Sequence, residues 1–436
     1  MNNVAEMKQQ ASALRKQQKY EEAVALYRVL WQEHREECDE WDGWAYAHSL
    51  RKLGRSQEAL DICREAYPLK PDFDYLRNLY AWCIYDLEIK RDDSEIERDE
   101  GRFFKAADAI LKLVEPGQYS PYARTVLRVI DYYKSRASYP AERILEWCDR
   151  SQPEQLSNVP GRGPDGKGKT VEYASDREKW YANRCKALHE AGRFEDCIHC
   201  GQEALSEFQR FHHDNDVWFK WRIALSRADL GDKDTAIAEL QGLLSRKKDW
   251  FIYHRLAQYL FELGQVNKAL DYALDAALAP GDLEYKWELF LLMSSLLKAP
   301  SDLEVAQKHV LLAAKIRQEL DWKMPAELSE AVQRLGIDVS SEVSAKDLYR
   351  DLRRHWQSLK VADMPEGQGE IKNLLPHGKA GFIRGDNGED YYFKTSSFRG
   401  PRHLLEPGQR VSFHIEKNPD PEKRDIAVFV RPQGST

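Results

Sequence analysis

Residues 44–71 read WAYAHSLRKLGRSQEALDICREAYPLKP, and their spacing decides most of the fold. Ala47, Leu50, Gly54, Ala59, Ala66 and Pro71 follow one another in a fixed order. Gly54 separates two stretches with the apolar period of a helix, and Pro71 closes the second. A second stretch, residues 256–281, reads LAQYLFELGQVNKALDYALDAALAPG. It sets Ala257, Leu260, Gly264, Ala269 and Ala276 at the same mutual spacings, with Ala273 between the last two. The physical reading is steric. Alanine or glycine at a crossing lets two paired helices approach closely, and larger apolar residues fill the groove between one pair and the next. No single pair can bury its apolar face alone, so the pairs must stack.

This pattern resembles the tetratricopeptide family, in which small residues stand where two helices cross and a turn residue lies between them. Looser units carry the same landmarks: Ala11, Leu14, Tyr20, Ala23 and Tyr27; then Leu188, Gly192, Phe194 and Cys197; then Ala224, Gly231 and Ala236; then Leu297 and Ala306. The landmark of the second helix falls at Ala23, Ala59, Cys197, Ala236, Ala269 and Ala306, with clean intervals of 36, 39, 33 and 37 residues. These scatter about the family period of roughly 34. The expected solenoid covers residues 5–335 and is irregular over 74–176. There the phase is lost, but helical patterns continue at 74–88, 102–114, 120–136 and 141–148, which predict two further pairs. The resemblance implies a groove that holds a protein partner.

The bulk numbers agree with such a chain. Its 436 residues are 42% hydrophobic and 31% charged, with a formal net charge of −7. That balance supports packed domains and argues against a chain that coats nucleic acid along its length. Residues 369–436 are the exception, with 11 Lys and Arg against 9 Asp and Glu. The start, MNNVAEMKQQ, has no secretory pattern, and no apolar run is long enough to cross a membrane. The seven cysteines, Cys38, Cys63, Cys83, Cys148, Cys185, Cys197 and Cys200, are scattered and odd in number, as in a reduced intracellular protein. A cytoplasmic location without membrane attachment is expected.

Two polar stretches interrupt the helices. Residues 92–101, DDSEIERDEG, are expected to lengthen a loop. Residues 151–170, SQPEQLSNVPGRGPDGKGKT, are expected to form a flexible insert, either a mobile loop or one that meets phosphate or a partner through Arg162, Lys167 and Lys169. The run GPDGKGKT formally fits G-x-x-x-x-G-K-[ST], but a working phosphate loop must follow a buried strand and open a helix, and no apolar strand precedes it. Cys197 and Cys200 form a C-x-x-C. No second ligand pair stands at zinc-site spacing, so both read as cysteines buried at a helix crossing. No Ser/His/Asp order, paired-carboxylate motif or H-E-x-x-H is present. The expectation is a protein that is not an enzyme and carries no cofactor or metal. A site assembled from residues distant in sequence stays open at this level.

Residues 344–362 predict a basic amphipathic connecting helix. Leu348, Leu352, Trp356 and Leu359 make its apolar stripe, and Lys346, Arg350, Arg353 and Arg354 decorate the rest. It either docks against its neighbours or offers its basic face to nucleic acid. After a short MPEGQG linker, five strands are expected at 370–375, 379–384, 390–395, 410–416 and 425–431, with tight turns at 385–388 and 407–408. Five short strands in so few residues suit a small barrel of the oligonucleotide/oligosaccharide-binding type over 368–433.

That segment resembles a cold-shock domain. The resemblance rests on Gly369-Glu370-Ile371-Lys372, on Gly378-Lys379-Ala380-Gly381-Phe382-Ile383, and on Tyr391-Tyr392-Phe393-Lys394-Thr395-Ser396. It extends through Leu405-Glu406-Pro407-Gly408-Gln409, Val411-Ser412-Phe413 and Ile426-Ala427-Val428-Phe429-Val430. It implies single-stranded RNA or DNA binding, with Phe382 and Tyr392 stacking on bases and Lys372, Lys379 and Lys394 meeting phosphates. Asn373, Ala380 and Thr395 stand where the family has aromatic residues, which implies a weaker platform. Two functions therefore follow from the sequence. One is an adaptor whose repeats hold a protein and whose barrel holds a nucleic-acid strand. The other is a protein-interaction scaffold whose barrel no longer binds nucleic acid.

Overall fold

The computed structural model describes residues 2–297, 302–362, 364–418, 420 and 422–433. The chain divides into two compact units, Met1–Lys247 and Lys248–Thr436. The boundary falls within the helical region rather than at the change from helix to strand.

The first unit is built of antiparallel helix pairs. They are Asn2–Lys16 with Tyr20–Glu33, Glu40–Lys52 with Ser56–Ala66, Asp176–Glu190 with Phe194–Glu207, and Asn215–Asp229 with Lys233–Leu243. Their crossings are as tight as the sequence pattern demands. Ala11, Ala23, Ala47, Ala59 and Ala66 have no exposed surface. A methyl group added at Gly43 would lie 2.6 Å from Ala66 Cβ and 2.9 Å from the Trp31 ring. The turn between paired helices needs a left-handed residue. Gly54 supplies it at φ +76°, whereas Gln18 adopts φ 63° at the equivalent turn of the first pair.

Two pairs occupy the stretch where the sequence loses phase. Asp74–Ile84 runs on into a π turn, Tyr85–Ile89, and is followed by Glu100–Leu113; Tyr122–Lys134 is followed by Ala141–Cys148. The π turn and the added helix shift the register, which accounts for the lost period. Here one expectation is corrected. The acidic run 92–101 is not a lengthened loop, because it contains the helix Asp93–Arg98, and Glu100 already opens the next. Fully buried Ile96 anchors this turn. Arg128 pairs with Asp93 at 2.7 Å and Arg136 pairs with Glu97 at 2.5 Å, so the charges that suggested a loop are matched by the helix Tyr122–Lys134 and the turn that follows it.

The Pro/Gly-rich stretch contains a two-stranded hairpin, β1 (Gly161–Pro164) and β2 (Thr170–Tyr173). GPDGKGKT supplies its turn and opens no helix. The Asp165 carboxylate accepts from the amides of Lys167 at 2.8 Å and Lys169 at 2.9 Å. The amides a phosphate would need already face an anion. The cysteines follow the packing reading: all seven are buried as free thiols, with Cys185 and Cys197 Sγ 3.6 Å apart.

The second unit opens with Trp250–Glu262 and Val266–Leu278, then Trp287–Leu296 and Leu303–Glu319, followed by Ala326–Arg334 and the long helix Ala345–Val361. Ser344 caps that last helix, its hydroxyl accepting from the Asp347 amide at 3.1 Å. Leu348, Leu352 and Trp356 are buried, as the stripe predicts. The Trp356 ring stacks on Phe290 at 5.6 Å and 7°. Its Nε1–H donates to His309 Nε2 at 2.8 Å, and His309 Nδ1–H donates to the Val305 carbonyl at 2.7 Å. Much of the basic surface is matched locally, with Arg350 on Asp347 at 2.7 Å and Lys360 on Asp275 at 3.0 Å. The helix therefore packs on its neighbours through the stripe. No helix among the described residues is long and apolar enough to cross a membrane.

Five strands complete the unit: β3 (Glu366–Leu374), β4 (Ala380–Gly385), β5 (Asp390–Lys394), β6 (Arg410–Glu416) and β7 (Ile426–Pro432). They close in the order β3-β4-β5-β7-β6, with β5 and β7 parallel and the other pairs antiparallel. This is a barrel of the oligonucleotide/oligosaccharide-binding type. Ile371, Ile383, Tyr391, Phe393, Val411, Phe413, Ala427 and Val430 fill it. Gly369 pairs with both Gly385 of β4 and Val411 of β6. A Cβ there would lie 2.2 Å from the Arg384 carbonyl oxygen, so only glycine lets β3 serve two neighbours.

Emptying the aromatic seat is expected to be costly. Trp356→Ala should lower stability by about 3–5 kcal/mol, read as a shifted urea midpoint of the full chain by circular dichroism. An unchanged midpoint would contradict this packing. The same site sets a pH dependence. Burial, which penalises the charged ring, lowers the His309 pKa from 6.5 to about 4, and the neutral ring keeps Nε2 free to accept from Trp356. The unfolded chain takes up this proton first on acidification. The stabilisation is complete above pH 6.5 and is lost as pH falls towards 4. His309→Gln should flatten the stability slope in that window, measured by urea melts at several pH values.

Candidate nucleic-acid interface

Strand alternation sets the outer face of the barrel. Ile383, Tyr391 and Phe393 point into the core, so Phe382, Arg384, Asp390, Tyr392 and Lys394 point out. The register places Asn373 beside Phe382, Phe382 beside Tyr392, and Tyr392 beside Ile426. Phe382 and Tyr392 are half-buried and meet edge to face, their centroids 5.9 Å apart. Sequence reasoning thus named two residues that the fold brings into direct contact.

The charges around this pair converge on one carboxylate. Asp390 accepts from Lys372 Nζ at 2.7 Å, from Arg424 at 2.9 Å, and from Arg384 Nε through its other oxygen. The Arg384 guanidinium, then Lys372, holds this carboxyl well below the usual carboxylate range. Lys372 reaches it because the β3 register shifts between Ile371 and Asn373, leaving Lys372 as the extra residue of a bulge. The Arg424 guanidinium also lies 5.2 Å from the Phe382 ring centroid. Three cations share one anion beside two aromatic rings, so the face keeps an excess of positive charge.

Lys379 and Lys394 are exposed and make no ion pair among the described residues. They lie near each other, because Lys394 pairs with Ala380 and the Thr395 amide donates to the Lys379 carbonyl at 3.0 Å. They stand apart from the Asp390 cluster, at the other end of the β4–β5 pair. The three departures from the cold-shock pattern have distinct positions. Asn373 is exposed beside Phe382, Ala380 is buried, and the Thr395 hydroxyl donates to the Gly378 carbonyl at 3.2 Å.

Sequence reasoning missed Arg384, Asp390 and Arg424. Arg384 was accessible to it, because it lies two residues beyond Phe382 and must share its face. Asp390 opens its strand and is also in phase with Tyr392. Arg424 precedes β7 and reaches the face only because β7 lies alongside β5 in the closed barrel. Among the described residues no cluster of three or more His, Cys, Asp or Glu could hold a metal ion.

No protein-family model matches the sequence, and no curated protein matches it. Solved structures do resemble it at low identity. One, of Naa15/Naa10 bound to HypK-THB, is 12% identical with a TM-score of 0.43; the match covers 83% of this chain and 51% of that one. This chain therefore spans about half the length of that relative. A thermophilic tetratricopeptide protein of Thermus thermophilus is 14% identical with a TM-score of 0.22, over 59% of this chain and 99% of that one. A tetratricopeptide repeat protein of Parabacteroides merdae is 12% identical with a TM-score of 0.29, over 67% and 99%.

Asp390→Asn should release the three cations it gathers. In a nitrogen-15 spectrum of the full chain, the Arg384 Nε–H signal is expected to exchange slowly with water in the native protein and fast in the variant. Equal exchange in both would show that Asp390 does not hold Arg384.

Proposed function

We propose that this chain is a non-catalytic adaptor: its helix pairs hold a protein partner, and its C-terminal barrel, cold-shock-like, binds single-stranded nucleic acid. The observation that carries the barrel's part is the Phe382–Tyr392 pair framed by Lys372, Arg384 and Arg424. An aromatic platform supplies a sequence-tolerant surface for unpaired bases, and cations beside it meet phosphates. Lys379 and Lys394 extend the charge along the same two strands. RNA is favoured over DNA by the resemblance to cold-shock barrels. The repeats' part rests on the stacked-pair architecture, which leaves long helix faces open to a partner.

A second reading has its own support. Asn373 and Thr395 remove two stacking groups, and Ala380 is both small and buried. These changes suit a barrel used only as a protein-binding or structural module within a scaffold.

Fluorescence anisotropy with labelled oligo-U and oligo-dT separates the two. Under the adaptor reading the full chain binds, and Phe382→Ala/Tyr392→Ala weakens binding by at least about tenfold, since each lost stack is worth about 1–3 kcal/mol. The logarithm of the association constant should fall with the logarithm of salt concentration, with a slope of about −2 to −4 if three to five cations meet phosphates. No binding by the intact chain, or binding indifferent to the double substitution, sinks the nucleic-acid part and leaves the scaffold.

A further inference from the structure

In the first unit, one surface of the helix pairs collects aromatic rings and cations that nothing above employs. Trp41 and Tyr75 are exposed, at 48% and 59%. Trp41 contacts Phe73, Tyr75 and Trp44 at ring separations of 4.6, 5.2 and 5.9 Å, and Trp44 reaches Tyr75 at 6.0 Å. Arginines cover the next rings along. Arg15 lies 4.9 Å from the Trp44 centroid, while Arg51 and Arg124 lie 4.9 and 5.6 Å from that of Trp82. These side chains come from four helices, Asn2–Lys16, Glu40–Lys52, Asp74–Ile84 and Tyr122–Lys134. The surface therefore runs across successive pairs.

Its charge is one-sided. Asp86 pairs with Arg51 at 2.6 Å and also with Lys90 at 3.1 Å, so one carboxylate serves two cations. Arg15, Lys52 and Arg124 have no carboxylate partner among the described residues. An open cleft of about 390 Å³ lies among His48, Arg51, Lys52 and Asp86. Two polar atoms at this surface, Arg15 Nε and His48 Nδ1, are buried without a hydrogen-bond partner among the described residues. Burial, then the nearby Arg15, Lys52 and Arg51, lowers the His48 pKa to about 4, so the ring stays neutral. All this positive potential sits on a chain whose net charge is −7.

We infer that this surface binds an extended acidic peptide segment, its carboxylates on Arg15, Lys52 and Arg124 and its apolar side chains against Trp41, Trp44 and Tyr75. The inference rests on the reading that the repeats hold a protein partner, and it names that partner's chemistry. Ring geometry favours a peptide over a nucleic-acid strand. Three contacts in the cluster are edge to face, at 68° for Trp41–Phe73, 83° for Trp41–Trp44 and 75° for Trp44–Tyr75, and the exposed Trp41 and Tyr75 are themselves tilted at 42° rather than parallel. Trp44 and Trp82 have arginines over them. Such a cluster offers crevices for aliphatic and aromatic side chains rather than a row of open parallel faces for bases. No free chain terminus is required, because Arg15, Lys52 and Arg124 are spread over three helices rather than gathered at one point.

The test uses the full chain and a short fluorescent peptide with both termini blocked, alternating Glu and Asp with Leu and Phe. Saturable binding that weakens with salt is expected. The exposed pair Lys52→Glu/Arg124→Glu should weaken it at least tenfold, which corresponds to about 1.4 kcal/mol. Trp41→Ser/Tyr75→Ser should weaken it similarly, and a peptide with Ser in place of Leu and Phe should bind less tightly. Circular dichroism melts of the variants check that they are folded. Absence of binding, or binding unaffected by Lys52→Glu/Arg124→Glu, overturns the inference. So does a neutral apolar peptide that binds as well and is displaced by Trp41→Ser/Tyr75→Ser; that result leaves a protein-binding surface but removes its acidic preference. Oligo-dT binding lost in Lys52→Glu/Arg124→Glu but kept in Phe382→Ala/Tyr392→Ala also overturns it, by assigning the surface to nucleic acid.

Discussion

Two helices cross at close range only where at least one of them carries no more than a methyl group at the crossing, and the helical part of this protein depends on that limit. Gly43 and Ala66 leave no room for another carbon, and Gly201 meets Ile223 as closely, its added methyl falling 2.9 Å from Cγ1. Interiors are packed to crystal-like density, so one extra methylene at such a point forces side chains off their rotamers. The tight crossing has a second effect. Bulky residues are excluded from the centre of each pair and go to its faces, where they either fill the groove between pairs or remain open. Tyr27, Leu30 and Leu50 take the first course, Trp41 and Tyr75 the second. The restriction that makes the pairs also furnishes their outer aromatic surface.

In the second unit a polar constraint joins the steric one. An indole N–H buried without an acceptor costs free energy comparable to a lost hydrogen bond. Trp356 avoids this cost through His309, and His309 through the Val305 carbonyl, so each group fixes the next. The chain ties the imidazole to a single tautomer. In the barrel the limiting residue is again a glycine, Gly369, at the place where one strand must serve two partners. Backbone pairing, rather than side-chain size alone, sets that requirement.

Charge is arranged differently in the two regions of interest. On the barrel, Asp390 gathers three cations and holds them beside an aromatic pair, which orders the positive charge and partly neutralises it. On the helical surface around Trp44 and Trp82, rings instead of carboxylates accompany Arg15 and Arg124, and a ring accompanies Arg51 beside its carboxylate partner Asp86. Cation–π contact orients a guanidinium without cancelling its charge. The first arrangement suits a preset geometry, the second a surface whose field still reaches an incoming ligand.

How much of this was legible beforehand follows from the range of each interaction. The repeat spacing from Trp44 to Pro71, the stripe of Leu348, Leu352 and Trp356, and the alternation around Phe382 and Tyr392 are local regularities. Local regularities survive in a sequence because helix and strand periods are fixed by backbone geometry. The acidic stretch 92–101 was misread because its partners, Arg128 on a later helix and Arg136 just beyond that helix's end, are distant in sequence, and charge alone does not tell a solvated loop from a paired turn. GPDGKGKT matched a phosphate motif letter by letter, yet Asp165 turns its amides inward. Arg424 reaches the Phe382 face only through barrel closure, and Arg15, Arg51 and Arg124 meet their tryptophans only across helix pairs. The sequence by itself determined the helix pairs, the strands of the C-terminal barrel and the faces their side chains share, but not the hairpin within the stretch it marked as a flexible insert. The tertiary structure decided which charges meet which rings, because contacts between distant residues depend on packing that no local period records.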